Sequence, residues 1–385
     1  MIPYGRQDIS EEDIAAVIEV LRSDFLTQGP VIPQFEESVA RYCGAEYSVA
    51  VNSATSALHL ACRALGLGSN DTLWTSPNTF VASANCALYC GASVDFVDID
   101  PRTYNLCVDQ LELKLIEAQR NNKLPKIVVP VHFAGQSCDM KRIYALGQQY
   151  GFRIVEDASH AIGGKYLDQP IGNCAYSDIT VFSFHPVKII TTAEGGVATT
   201  NSIELAEKMR LLRSHGITRD VSSMTKMSEG DWYYQQVDLG FNYRMTEIQA
   251  ALGVSQMHRL DQYVESRHQL CRKYDKSLKD FPLLRPYQSD QSYSSLHLYP
   301  IQIDRHETTK SRREVFDFLR ANGIGVNVHY IPVHTQPHYQ EMGFKVGQYP
   351  VAEQYYSNAI SVPLHPTLTE EELLRVVDVL KQALV

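Results

Sequence analysis

The segment Phe152-Arg153-Ile154-Val155-Glu156-Asp157-Ala158-Ser159-His160 reads as an apolar strand that stops on two carboxylates, a serine and a histidine. A carboxylate at the end of a buried strand is costly unless something cationic meets it. An aspartate that caps the following turn is the competing reading, and this segment alone does not separate the two. The strand is one beat of a longer rhythm. Tyr47 to Val51, Thr72 to Thr75, Val94 to Val97 and Ile127 to Val131 also read as strands. Helical patterns at Thr55 to Leu65, on to Tyr89, at Leu111 to Gln119 and at Met140 to Tyr150 fall between them. Alternating β and α segments imply an α/β fold with a doubly wound, mainly parallel sheet. Ligands on such sheets bind at the carboxyl ends of the strands, where Asp157 lies.

Outward from this block, Ser10 is a good N-cap, with Asp13 in the first turn and Ile14, Val17, Ile18 and Leu21 at helical spacing. A second helix is expected from Pro33 to Cys43, stopped by Gly44. Met245 to Lys279 holds no proline and reads as one long helix or two broken ones, leading into a second domain. Strands are expected near Leu296 to Ile303 and Gly325 to Tyr330, with a helix over Arg312 to Ala321. Thr369 and Glu372 form a capping box for the last helix. A chain of 385 residues suits two domains. We place them at 1–255, the larger, and 256–385, a smaller α+β unit.

Composition excludes several classes. Charged residues make up 21% and hydrophobic ones 44%, which is globular rather than disordered. The net charge of −9 argues against a nucleic-acid partner. No apolar run approaches the roughly 18 residues of a membrane span, and the start lacks a signal-peptide stretch. A cytoplasmic location and no membrane partner are the expectation. The eight cysteines are scattered without a CxxC, which fits reduced thiols.

Two further segments carry chemistry. Asn52-Ser53-Ala54-Thr55-Ser56 stands between a strand and a helix, where backbone N–H and hydroxyl groups can receive a phosphate. Ordinary N-capping is the plainer reading, and no P-loop pattern is present. Phe182-Ser183-Phe184-His185-Pro186-Val187-Lys188 leads to Glu194-Gly195-Gly196. A lysine between aliphatic residues can snorkel to water. In a half-buried pocket it instead has a lowered pKa and can form a Schiff base. For the first segment, a protonated pyridine nitrogen is a cation that Asp157 could meet. His329, His334 and His338 raise the question of a metal, but Pro332 and Pro337 break any regular spacing, and no metal is expected.

Asp157-x-x-His160, Ser183-x-x-x-x-Lys188 and Glu194-Gly195-Gly196, in this order, resemble the DegT/DnrJ/EryC1/StrS family of pyridoxal-phosphate sugar aminotransferases. The similarity runs from Leu26-Thr27-Gln28-Gly29-Pro30 to the last helix. Asn52 to Leu58 and Phe241-Asn242-Tyr243-Arg244-Met245 belong to it. It implies the aspartate aminotransferase fold (fold type I) and pyridoxal 5'-phosphate as cofactor. By resemblance, Lys188 is the Schiff-base lysine, Asp157 holds the pyridine nitrogen protonated, and His160 lies beside the ring and its phenolic oxygen. Ala54, Thr55 and Ser183 match phosphate contacts, and Phe80 matches the aromatic that stacks on the ring. Asn242 matches a residue that reaches the phosphate of the neighbouring subunit, which implies a homodimer with shared sites. Tyr4, Asp24, Phe25, Leu26, Thr27, Arg244, Asn327, Val328, His329 and Tyr330 match positions that meet the sugar nucleotide.

The implied reaction moves an amino group from L-glutamate to a UDP-linked keto sugar. Within the family the motifs look most like those of enzymes that aminate UDP-4-keto-6-deoxy-N-acetyl-β-L-altrosamine on the route to pseudaminic acid. Another nucleotide-sugar 4-aminotransferase, acting on UDP-4-keto-arabinose or UDP-4-keto-6-deoxy-glucosamine, is the alternative. A sugar dehydratase of the family carries histidine at the lysine position, so Lys188 speaks against it.

Overall fold

The computed structural model describes residues 1–384. Seven strands build the central sheet: β1 (Tyr47–Val51), β2 (Thr72–Thr75), β3 (Ser93–Phe96), β4 (Ile127–Val129), β5 (Arg153–Asp157), β6 (Ile179–Ser183) and β7 (Gly196–Thr200). Their order is β1-β7-β6-β5-β4-β2-β3. β7 runs antiparallel to both neighbours. The pairs β6–β5, β5–β4, β4–β2 and β2–β3 are parallel. Successive side chains leave a strand on opposite faces. Accordingly Val49, Val51, Ile179 and Val181 pack into one core and Ala50 and Phe182 into another. Helices on both faces explain why β4 is Ile-Val-Val without alternation.

β7 is not among the strands read from the sequence, which follows this segment only as far as Gly195-Gly196. The chain instead turns at these glycines and returns as Gly-Val-Ala-Thr-Thr, buried throughout. Small side chains let it fit between two covered strands. Gly325 to Tyr330, expected as a strand, is an irregular segment held by single bridges such as Asn327 to Ser361. The 245–279 run is two helices, Glu247–Met257 and Leu260–Ser277, separated at His258 and Arg259.

The C-terminal part has its own antiparallel sheet of Leu283–Leu284, Tyr299–Ile303 and Ala359–Val362. Its core also takes in Ile2 from the chain start, which hydrogen-bonds Gly323 and Gly325. The N-terminal segment thus crosses to the second core, bridging at Ile2 and Ile324, and brings Tyr4 with it.

α1 (Glu11–Arg22) has the capping box of Ser10 and Asp13. Its packing reverses the apolar period. Ile14, Ile18 and Leu21 are exposed, while Asp13 and Val20 are buried. Asp13 is held inside by Arg259 and Gln256. The following helix, α2 (Val31–Cys43), lacks a local cap. Glu247 supplies one from far along the chain, accepting the Val31 N–H at 2.7 Å and the Ile32 N–H at 3.3 Å. A Cβ on Gly29 would sit 2.8 Å from the Glu247 carboxylate, so a glycine is needed there.

Candidate active site

Glu156 and Asp157 leave β5 on opposite faces. Glu156 accepts from His132 Nε2 (2.6 Å), Ser177 Oγ (2.5 Å) and Thr180 Oγ1 (3.0 Å). Against the cost of burial, these donors hold its carboxyl below the usual range. Asp157 meets only neutral donors. Oδ1 accepts from Ser159 N (3.1 Å) and Ser159 Oγ (2.6 Å), and Oδ2 from Ser83 Oγ (2.5 Å). Among the described residues it is a buried carboxylate with no cation at hydrogen-bond distance, and that is the condition the sequence reading asked about.

Lys188 follows a turn closed by its own N–H to His185 O at 2.8 Å. Lost hydration brings its amine down to about 8, against the pull of Asp157. A lysine lowered this far has a far larger neutral fraction at ordinary pH than a solvated one, which suits it to act as nucleophile or base. His160 Nδ1 accepts the Ala134 N–H at 3.3 Å, so Nε2 carries the proton and donates to Tyr330 Oη at 3.0 Å. Burial, with Lys188 and His329 nearby, holds His160 well below its ordinary range. Burial and Lys188 bring His329 down to about 3. His297 lies 4.4 Å from His160, ring to ring, and is lowered likewise. The three histidines are therefore neutral polar walls around Lys188.

The sheet register builds a third feature. Gly196 pairs with Ser183 on one side and Val51 on the other. A Cβ at Gly196 would lie 2.5 Å from the Ala54 nitrogen. The absent side chain lets β7 press against the start of α3 (Ala54–Ala64) and brings Ser183 near it. Ser53 Oγ takes the Ser56 N–H, and the Ala54 and Thr55 N–H groups lie in the first turn, which has no intrahelical acceptors. Two free N–H groups, a nearby serine and the helix dipole suit a phosphate.

Phe80 is exposed, with its ring 6.4 Å from that of Tyr330. Asn78 Oδ1 accepts the Tyr330 N–H at 3.2 Å and so joins the two loops. Tyr4 packs 5.5 Å from the His329 ring, and Asn327 Nδ2 reaches His329 Nε2 at 3.5 Å. Val328 lies half-buried between them. Asn242 is exposed, and its carbonyl faces the Asn52 amide at 3.5 Å. Asp24, Phe25, Leu26 and Thr27 are exposed and sit apart from Lys188 in their bonding. Thr27 bridges Thr246, and Leu26 O accepts the Glu247 N–H. Arg244 lies two residues before that anchor. The histidines of the C-terminal loop do not converge: His334 pairs with Glu353 and His329 with Ser361. Among the described residues no group of three ligands could hold a metal.

Sequence reasoning missed Thr79, Ser83 and His297. Their residue types are ordinary, and only the fold brings them to Asp157 and His160.

A model of the DegT/DnrJ/EryC1/StrS aminotransferase family matches residues 7–381. The chain belongs to this family. It is 38% identical to the spore coat polysaccharide biosynthesis protein SpsC of Bacillus subtilis, over 99% of this chain and 96% of that one. It is 37% identical, with the same coverage, to the UDP-4-amino-4,6-dideoxy-N-acetyl-beta-L-altrosamine transaminase of Campylobacter jejuni. Helicobacter pylori PseC, an aminotransferase involved in the biosynthesis of pseudoaminic acid, superimposes with a TM-score of 0.91 at 33% identity, covering 100% and 99%. The sugar aminotransferase Spr1654 of Streptococcus pneumoniae, described as putative and seen in its PMP form, gives 0.89 at 31%, covering 100% and 99%. The DegT-family chain is thus a pyridoxal-phosphate-dependent aminotransferase that acts on nucleotide sugars, with the fold of that family. Among the described residues no helix is long and apolar enough to cross a membrane.

The residues fit the cofactor. The first turn of α3 with Ser183 suits its phosphate, Asp157 its pyridine nitrogen and Lys188 its aldehyde carbon. Bound there, pyridoxal phosphate supplies an electron sink for the pair released when a C–H bond beside nitrogen breaks. Asp157 would support that sink by offering the ring nitrogen a negative charge. The Lys188 amine, with its pKa lowered to about 8, would be the group that holds or moves a proton beside that carbon.

Proposed function

We infer that this enzyme transfers the amino group of L-glutamate to C4 of UDP-4-keto-6-deoxy-N-acetyl-β-L-altrosamine, a step towards pseudaminic acid. The observation that carries the transaminase chemistry is the uncompensated Asp157 across from a lysine of lowered pKa. Support for the sugar comes from the Campylobacter relative and from Helicobacter PseC. The comparable identity to SpsC favours a second reading, in which another UDP-4-keto sugar is aminated for a surface polysaccharide. On either reading a cytoplasmic enzyme would meet its nucleotide sugar directly.

In this proposal Lys188, Asp157 and His160 are the catalytic group, and Ala54, Thr55, Phe80 and Ser183 hold the cofactor. Tyr4, Asn327, Val328, His329 and Tyr330 line the sugar side. Asp24, Phe25, Leu26, Thr27, Asn242 and Arg244 complete the site of a second copy in a homodimer. Three facts support the dimer: Asn242 is exposed, the apolar row of α1 is uncovered, and Phe25 and Leu26 lie bare beside it. The division at 1–255 and 256–385 stands as part of the same proposal. The test is a panel of UDP-4-keto sugars with glutamate, read by product mass and proton NMR. Turnover of the altrosamine precursor at the highest kcat/KM supports the first reading. Preference for a UDP-4-keto-arabinose or glucosamine substrate overturns it in favour of the second.

A further inference from the structure

An ionised carboxylate offers about four lone-pair sites, two on each oxygen. In Asp157 both sites of Oδ1 are taken by Ser159, through N–H and hydroxyl. One site of Oδ2 is taken by Ser83 Oγ at 2.5 Å. The site left over is on Oδ2, so an N–H arriving from a ligand must share that oxygen with Ser83. The serine is not isolated. Thr79 Oγ1 lies 2.7 Å from Ser83 Oγ. A carboxylate oxygen only accepts, so Ser83 donates to Asp157 and Thr79 donates to Ser83. Thr79, Ser83 and Asp157 are all buried. They form a directed chain of two hydroxyls ending on the one carboxylate oxygen that is free for a ligand.

We propose that Ser83, polarised by Thr79, is a positioning residue that aims Oδ2 of Asp157 and keeps the proton of the Asp157–pyridine pair on the ring nitrogen. The physical reason is charge. A buried carboxylate–pyridinium pair can collapse to a neutral acid and a neutral ring by moving one proton, and low polarity favours the neutral form. A hydroxyl donated to Oδ2 stabilises the negative charge and opposes that collapse. A donor behind the hydroxyl strengthens it, since chained hydrogen bonds polarise one another. Thr79 precedes Phe80, so one loop would both cover the ring face and tune the carboxylate beneath. The inference rests on Asp157 being the partner of the ring nitrogen.

The test uses holoenzyme loaded with 15N-labelled pyridoxal phosphate and reads the chemical shift of the ring nitrogen, with kcat and cofactor affinity alongside. Wild type should give the protonated shift. Ser83→Ala should move it towards the neutral value and lower kcat by about 10- to 100-fold, the loss expected of a hydrogen bond to a charged group. Thr79→Val, which keeps the shape, should move it the same way by less. Ser83→Thr should restore the shift. A wild-type shift in Ser83→Ala overturns the proposal. If Ser83→Ala retains no cofactor, Thr79→Val decides: no movement there overturns it equally. Asp157→Asn separates the two levels. If its ring nitrogen stays protonated, the partner assignment has failed. If it turns neutral while Ser83→Ala and Thr79→Val remain as wild type, only the role of Ser83 has failed.

Discussion

Two adjacent carboxylates, one peptide apart on β5, have opposite fates. Glu156 points into a pocket where His132, Ser177 and Thr180 all donate to it. Cys138 N–H donates to His132 Nδ1 at 3.2 Å, so both ring nitrogens are engaged and the cluster is closed. Asp157 points the other way, towards Lys188, and keeps an acceptor site open. Burial and charge are common to both carboxylates, and what sets Asp157 apart is the valence it keeps open for a ligand. A saturated cluster can only hold the fold together, whereas an unsaturated one can bind and exchange.

The largest test of this contrast is Lys188→Ala. It should fold, yet lose transamination by about 10⁴-fold, the upper end of what a positioned acid–base group contributes. Borohydride reduction of the loaded wild type followed by peptide mapping should label Lys188, and a label on another lysine would break the assignment.

The two carboxylates should then part company. Asp157→Asn should lower kcat by about 10²–10³-fold, the size of an electrostatic contribution at a reacting centre, with little change in melting temperature. Glu156→Ala should do the reverse. It leaves the buried donors of His132, Ser177 and Thr180 without their acceptor and should cost about 3 kcal/mol of stability, read by denaturant unfolding, while kcat per folded molecule stays near wild type. Equal effects of both variants on kcat would dissolve the contrast.

Asn242→Ala should weaken cofactor binding by about one to two decades without unfolding the chain. At a cofactor concentration too low to load Asn242→Ala, mixing its subunits with inactive Lys188→Ala subunits should restore part of the activity if sites are shared. Verified subunit exchange without recovery would exclude a shared site.

The smallest effect is in pH. The amine attacks only when neutral, and burial lowers its pKa from 10.5 to about 8. Covalent uptake of pyridoxal phosphate by apoenzyme should therefore rise with pH, pass its midpoint near 8 and level off above it. A rate still climbing towards 10.5 would show an ordinary, solvated lysine.

Residue order alone was enough for the β-α rhythm and for the caps at Ser10 and Thr369, and together with the family resemblance it nominated Lys188 and Asp157 as the chemistry-bearing pair. These features are local: a cap needs three residues, a strand five, and a lysine among aliphatics is visible in a single line of text. Tertiary structure alone decided the rest. The apolar row of α1 turned outward because Arg259 and Gln256, far along the chain, hold Asp13 inside. Gly195-Gly196 proved to be an entry to β7, since a strand's existence depends on neighbours that sequence does not place. Likewise Glu247 caps α2 across 216 residues. Tyr330 meets His160 across 170 residues, and Ser83 meets Asp157 across 74. Hydrogen bonds saturate one donor and one acceptor at a time. Which valence stays open for a ligand is settled only when every partner has been brought into place.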